Sequence, residues 1–230
     1  MTDATVLAVS GMTFESRIAE GPGVTTLHGF RDRRLEEKLA ELLARRPGTH
    51  RGVISIGVAG GLAPRLQPGA VIVAASVQDG DTLLPCDAAW HDALRAALPH
   101  SVSGPIAGMD AAVTTVADKA ALHRTRGALA VDMESHIAAR AARDCGLPFA
   151  ALRIVIDPAE RPVPPLAVAG MAADGSTDIG AILLGLLRAP WELGGLMRLG
   201  RDAAAAKAAL ARARAMAGTA LGAAPQPGQR

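Results

Sequence analysis

The chain contains no tyrosine, and its aromatic content is only 2%. Readers of single-stranded nucleic acid stack bases on aromatic side chains, so that mode of binding is largely excluded. Lys and Arg (24) nearly balance Asp and Glu (22), the net charge is +2, and basic residues are scattered rather than grouped. A nucleic-acid partner would leave a denser basic footprint than this. Cys86 and Cys145 are the only cysteines, too few for a disulfide framework and not spaced as metal ligands, which suits a reducing cytoplasm. The six histidines form no metal-ligand pattern, and His136, two residues after Glu134, would point elsewhere on a helix. Ser55, Ser76 and Ser135 lack the G-x-S-x-G context of a serine hydrolase. Long apolar runs are missing too: the nearest, AILLGLLRAPWELGGLMRLG, is broken by Arg188, Pro190 and Glu192. The first residues, MTDATVLAVSGM, carry Asp3 and no basic flank, against a secretory signal.

What is present is a pattern of strands alternating with helices over 230 residues, enough to bury a sizeable core of Ala, Val, Leu and Ile. TVLAVS reads as a buried strand, and RLEEKLAELLARR, with Leu35, Leu39, Leu42 and Leu43 at helical spacing, as a helix packed on a sheet. RGVISIGVAGGLAPRLQPGAVIVAASV reads as strand, loop, strand, with the first strand ending near Gly57. A strand from Ser101 to Thr115, a helix in ADKAALHRTRG, and a helix and strand in VDMESHIAARAARDCGLPFAALRIVID follow. AADGSTDIGAILLGLLRAP predicts a capped apolar helix, and a last helix runs from about Asp202 to Met216. No composition break marks a second domain, so residues 1–218 are expected as one domain and 219–230 as a disordered tail. The alternation implies an α/β fold, a sheet covered on both faces, with ligands at the carboxyl ends of the strands.

Chemically loaded residues fall at those ends. Glu15, in SGMTFESR, reads either as first-turn helix chemistry or as a general base, with Arg17 close by to hold its charge. VAGGL, with Val58, Ala59 and Gly60, reads as a tight turn or as backbone that lets a ligand approach; it is no dinucleotide fingerprint. Glu134 reads as a cap or, because Val131, Met133 and Ile137 imply burial, as a carboxylate that needs partners such as the two hydroxyls of a ribose. Asp157, held extended by Pro158, reads as a loop cap or as an acid whose pKa burial has raised. Arg153, four residues before it in an extended run, would lie roughly 13 Å away and is not its obvious partner.

Taken together, SGMTFESR, IGVAGGLAPRLQPGAVIVA and AVDMESHIAARAARDCGLPFAALRIVID resemble the purine and uridine phosphorylase superfamily, which includes the methylthioadenosine and S-adenosylhomocysteine nucleosidases. The likeness runs from about Thr5 to Asp157. FESRIA, VDMESHIAA and IVIDPAERPVPPLA are most similar to the hopanoid-associated phosphorylase group, whose members remove adenine from adenosylhopane to give ribosylhopane. The resemblance implies a three-layer α/β/α domain with a mixed central sheet. It assigns Glu15 to activating water, Met133 and Glu134, with Val131, to the ribose, Val58, Ala59 and Gly60 to the substrate, and Asp157 to protonating the purine. No metal or cofactor is implied; phosphate would be a co-substrate only if the reaction were phosphorolytic.

The sequence departs from that pattern in two places. Ser55 and Val58 stand where phosphorylases carry phosphate-holding residues, with only Arg17 as a substitute, so hydrolysis is favoured over phosphorolysis. Ala112 and Val113 stand where relatives carry a base-stacking aromatic, leaving backbone contacts, Asp157 or Phe149 for that task. Alternatives are a phosphorolytic purine nucleoside phosphorylase, a methylthioadenosine/S-adenosylhomocysteine nucleosidase, and a nucleoside-binding module without catalysis. A small, lipid-linked nucleoside is the expected partner. The resemblance also implies a homo-oligomer. In AILLGLLRAPWELGGLMRLGR, Trp191, Arg188, Arg198 and Arg201 among apolar residues are compatible either with core helices or with peripheral contact at the inner membrane.

Overall fold

The computed structural model describes residues 4–30, 32–45, 48–170 and 178–224. Strand β1 (Thr5–Val9) is followed by helix α1 (Thr13–Ala19), β2 (Val24–Leu27), α2 (Asp32–Arg45), β3 (His50–Gly61), β4 (Val71–Asp79), β5 (Thr82–Pro85) and α3 (Ala88–Ala97). Then come β6 (Val102–Gly108), α4 (Val116–Arg126), β7 (Ala130–Asp132), α5 (Ser135–Asp144), β8 (Phe149–Asp157), α6 (Pro165–Ala169), α7 (Ile179–Arg188) and α8 (Leu193–Ala217). The strands form one mixed sheet, in the order β2-β1-β3-β7-β6-β4-β5, with β8 pairing both β3 and β4. The pairings β3–β8, β8–β4, β4–β6, β6–β7 and β7–β3 make a closed circuit, so the middle of the sheet curls onto itself.

Strand residues alternate between two cores, because successive side chains leave opposite faces. Leu7, Val9 and Val53 meet Leu35, Leu39 and Leu43 of α2 and Ile137 and Ala138 of α5 on one face. Val6, Ala8, Ile54 and Ile56 meet Trp90 and Leu94 of α3 and Leu210 and Ala213 of α8 on the other. Two covered faces explain why the strands read as continuous apolar runs. Helix α2 buries its leucine stripe and pairs Arg33 with Glu37 and Lys38 with Glu41 outside it.

Several boundaries differ from those expected. β3 does not end near Gly57 but runs through Gly61, because Gly60 and Gly61 pair with Val131 and Ala130 of β7. The strand expected from Ser101 to Thr115 stops at Gly108. Helix α8 starts at Leu193, nine residues before Asp202, carried through by an apolar stretch containing Leu196, Met197 and Leu199. Thr219–Gly222, expected in the disordered tail, forms a 3₁₀ turn with Ala220 and Leu221 buried and the Trp90 indole N–H donating to the Leu221 carbonyl at 2.8 Å. The remainder of that tail from 225 on, and the first part of the expected capped helix at 172–177, lie outside the described residues. Among the described residues no helix is long and apolar enough to cross a membrane.

Candidate active site

Glu15 occupies the third position of α1 and is buried. Its carboxylate accepts the Met12 N–H at 2.8 Å, so it does cap its own helix. It also accepts the Val58 N–H of β3 at 2.7 Å, 43 positions away. Capping and reaching across the strand ends are therefore one arrangement rather than alternatives. Burial raises its pKa, against the lowering effects of the Arg153 charge and of the Val58, Met12 and Gly11 N–H groups. Arg17, expected to hold the charge of Glu15, is exposed; Arg153 does so instead.

Two glycines make room for the carboxylates. A Cβ on Gly57 would lie 2.5 Å from Glu15 Oε1, and one on Gly11 would lie 2.4 Å from Glu134 Oε1. Neither would be tolerated without moving the carboxylate. Gly57→Ala is expected to push Glu15 off the Val58 N–H; since ångström-scale misplacement costs up to about 10²-fold, turnover should fall by that order with little change in unfolding temperature. Steady-state rates alongside thermal melts check this, and wild-type turnover in the variant would refute the placement.

Glu134 is the N-cap of α5, buried at the junction with β7. Its Oε2 lies 3.8 Å from Arg153 Nη2. Arg153, on β8, is fully buried. It donates through Nε to Asp132 Oδ2 and through Nη2 to Ser55 Oγ, the latter at 2.5 Å. Asp132 in turn accepts the Ser135 hydroxyl at 2.6 Å and the Ser135 N–H at 3.0 Å. One guanidinium thus faces three carboxylates, those of Asp132, Glu134 and Glu15, and their charges raise its pKa against burial. Sequence reasoning missed this hub. The acid nearest to Arg153 along the strand, Asp157, is not among its partners, and those it has lie far away in the sequence.

Asp157 ends β8 beside a β-bulge: Ala59 pairs with Val155, but Gly60 pairs with Asp157, leaving Ile156 unmatched. A bulge re-aims the side chains that follow it, and here the aspartate is brought over β3. A Cβ on Gly60 would meet Val131 Cγ1 at 3.4 Å and the Asp157 carboxylate at 3.5 Å; one on Gly61 would lie 3.1 Å from the Asp157 carbonyl. Both glycines therefore lie in a strand pairing, not a tight turn, and Gly61 is the one where the neighbouring backbone leaves little space for a side chain. Asp157 is buried and ion-paired with Lys119, a residue not singled out from the sequence. Burial raises its carboxyl pKa, opposed by Lys119 and Arg161 and reinforced by Asp202.

Glu15, Val58, Gly60, Val131, Glu134 and Asp157 are linked in this way through β3 and Arg153. Val58 and Gly60, which touch Glu15 and pair with Asp157, stand two positions apart, about 7 Å by strand rise. Met133 is half-buried beside Glu134. Ala59 puts its side chain into the core, leaving only backbone for the site. Phe149 cannot stack on a base here: it starts β8, eight residues from Asp157, or about 26 Å along the strand. Val113 and Met109 instead pack with Leu62, Ala107, Ala128 and Val131 in a small apolar cluster next to Gly60. Among the described residues no group of three or more His, Cys, Asp or Glu is placed to hold a metal ion.

A mixed α/β/α sheet, buried carboxylates at its strand ends and a match to the phosphorylase superfamily model support an enzyme of nucleosidase or nucleoside phosphorylase type. The chain belongs to the phosphorylase superfamily, whose family model matches residues 35–188. Lys119, Glu134, Arg153 and Asp157 fall inside that span, and Glu15 before it. No curated protein matches the chain. Among solved structures, the 5′-methylthioadenosine/S-adenosylhomocysteine nucleosidase from Neisseria meningitidis in complex with methylthio-immucillin-A superposes with a TM-score of 0.67 at 17% identity, over 92% of this chain and 97% of that one. The S-adenosylhomocysteine nucleosidase from Streptococcus pyogenes gives 0.61 at 19%, over 69% and 86%. A futalosine hydrolase mutant from Helicobacter pylori gives 0.56 at 15%, over 66% and 89%. At such identities these likenesses concern the fold.

Proposed function

We propose that the protein hydrolyses the N-ribosyl bond of a 5′-substituted adenosine and releases adenine. The observation that carries this reading is the pair of buried carboxylates over β3: Glu15, held by backbone N–H groups beside Arg153, and Asp157, its carboxyl pKa raised by burial. Ionised Glu15 takes a proton from water as the water oxygen bonds to the anomeric carbon. The bond from that carbon to the purine breaks, its electron pair goes to the base, and Asp157 delivers a proton to the ring. Glu134, with Met133 beside it, accepts the ribose hydroxyls. No metal or cofactor takes part.

Water is favoured over phosphate on charge. Arg153 is the one fully buried arginine among the described residues, and it is already engaged by Asp132, Ser55, Glu134 and Glu15. A phosphate dianion entering beside three carboxylates would meet net repulsion and, among the described residues, no buried arginine that is not already engaged.

The substrate we favour is adenosylhopane, giving ribosylhopane in hopanoid biosynthesis. A surface on α7, α8 and the 3₁₀ turn Pro190–Glu192 between them suits a lipid-linked nucleoside: Leu184, Leu187, Trp191, Leu193 and Met197 are exposed, and so are Arg188, Arg198 and Arg201. The acidic neighbours are engaged elsewhere, Glu192 with the Leu166 N–H and Asp202 with Arg161. Exposed apolar side chains among arginines fit the interface of an anionic bilayer, hence peripheral contact at the inner membrane of a cytoplasmic homo-oligomer.

The deciding experiment measures adenine release from lipid-linked adenosine, methylthioadenosine and S-adenosylhomocysteine, with and without phosphate. Free ribosyl product and preference for the lipid-linked substrate are expected. A phosphorylated sugar would overturn hydrolysis, and fast turnover of methylthioadenosine would overturn the lipid reading. Failure to float with anionic liposomes would remove the membrane contact.

A further inference from the structure

Lys119 is the largest fully buried side chain in the structure after Arg153. Lysines are almost never fully buried unless paired. Its ammonium carries three hydrogens and has three oxygen partners: Asp157 Oδ2, the Pro158 carbonyl at 3.1 Å and the Arg161 carbonyl at 2.8 Å. Every donor is used, and all partners belong to the end of β8 and the loop behind it. The charged groups that face Asp157 are Lys119 from α4, Arg161 from that loop and Asp202 from α8, the last two paired at 2.7 Å. Glu160, which also feels Lys119, turns outward to the Arg65 N–H.

We propose that Lys119 is a positioning residue for Asp157: it holds one carboxyl oxygen, ties down the 158–161 loop, and by its charge sets the pH range in which Asp157 can give up a proton. This rests on the reading of Asp157 as the acid. A general acid must carry a proton yet part with it readily, so its pKa must not climb too far. Burial drives the carboxyl up; an ammonium in contact draws it back. Placing that ammonium where it also clamps the loop couples the strength of the acid to its position. A lysine serving only as a structural clamp would leave the pH dependence of catalysis untouched when its charge alone is removed.

The test compares the pH profile of kcat for adenine release in wild type, Lys119→Gln, Lys119→Met and Lys119→Arg. Glutamine keeps donors for the two carbonyls and loses the charge. The alkaline limb is expected to move up by about one pH unit or more in Lys119→Gln and Lys119→Met, with the plateau falling about tenfold because a weaker acid donates less readily. In Lys119→Arg the limb is expected to stay where wild type has it. A limb unmoved in folded Lys119→Gln overturns the proposal. Should neither neutral variant fold by circular dichroism, a limb displaced by a full unit in Lys119→Arg overturns it, and a retained limb supports it. Asp157→Asn separates this from the underlying reading: if the wild-type limb persists without Asp157, the assignment of the acid fails, whatever Lys119 does.

Discussion

Asp157→Asn is expected to lower adenine release by about 10²–10⁴-fold, the usual contribution of a positioned proton donor. The substitution preserves shape and the oxygen that Lys119 reaches, but an amide has no acidic proton to give. It also leaves the buried Lys119 ammonium with three neutral oxygen partners and no counter-charge, so a lower unfolding temperature should accompany the loss of activity. The pH profile supplies the more specific signature. Asp157 works protonated, and its raised pKa means that wild-type activity is present below that pKa and lost as pH climbs through it. Glu15 works ionised, so activity is lost at the other end, as pH falls through its own raised pKa. The two limbs belong to the whole site as macroscopic values. In Asp157→Asn the alkaline limb should vanish while the acid limb stays. A variant with wild-type turnover would remove Asp157 from the mechanism.

Arg153→Met should be still more disruptive to the protein itself. It leaves Asp132, Glu134 and Glu15 buried around a thioether, and breaking such an arrangement by removing one partner costs about 3–5 kcal/mol. Against a typical total stability of about 5–15 kcal/mol, that is a large share of the margin. The urea midpoint should drop sharply, and much of the variant should be insoluble on expression. Arg153→Lys is expected to fall between, since one ammonium cannot reproduce a planar fork that reaches Asp132 and Ser55 together. An Arg153→Met protein unfolding at the wild-type urea concentration would mean that the three carboxylates do not depend on this guanidinium.

The difference between these residues is also a difference in legibility. Glu15, Glu134 and Asp157 stood out because a carboxylate among apolar strand and helix residues demands an explanation on the spot. Arg153 and Lys119 did not, because an arginine in a strand and a lysine in a short charged helix have an ordinary solvent-facing reading. What makes them special is distant in sequence: Arg153 meets Asp132 across 21 positions and Ser55 across 98, and Lys119 meets Asp157 across 38. Gly57 and Gly11 were equally silent, since only the carboxylates packed over them show why a side chain is excluded.

By itself the sequence determined the type of the longer elements, such as β1, α2, β3, β4 and β8, the two-faced core, and the carboxylates at the strand ends, while β2, β5, α3 and β7 were not marked in it. Those follow from local rules: periodicity of apolar residues, the restriction that Pro158 imposes, and the cost of burying an acid without a partner. Tertiary structure decided where β3 ends, how the bulge at Ile156 turns Asp157 over it, and which cations answer which acids. Those outcomes depend on pairing between strands far apart in the chain. Such pairing settles when the sheet closes on itself, and no local propensity encodes it.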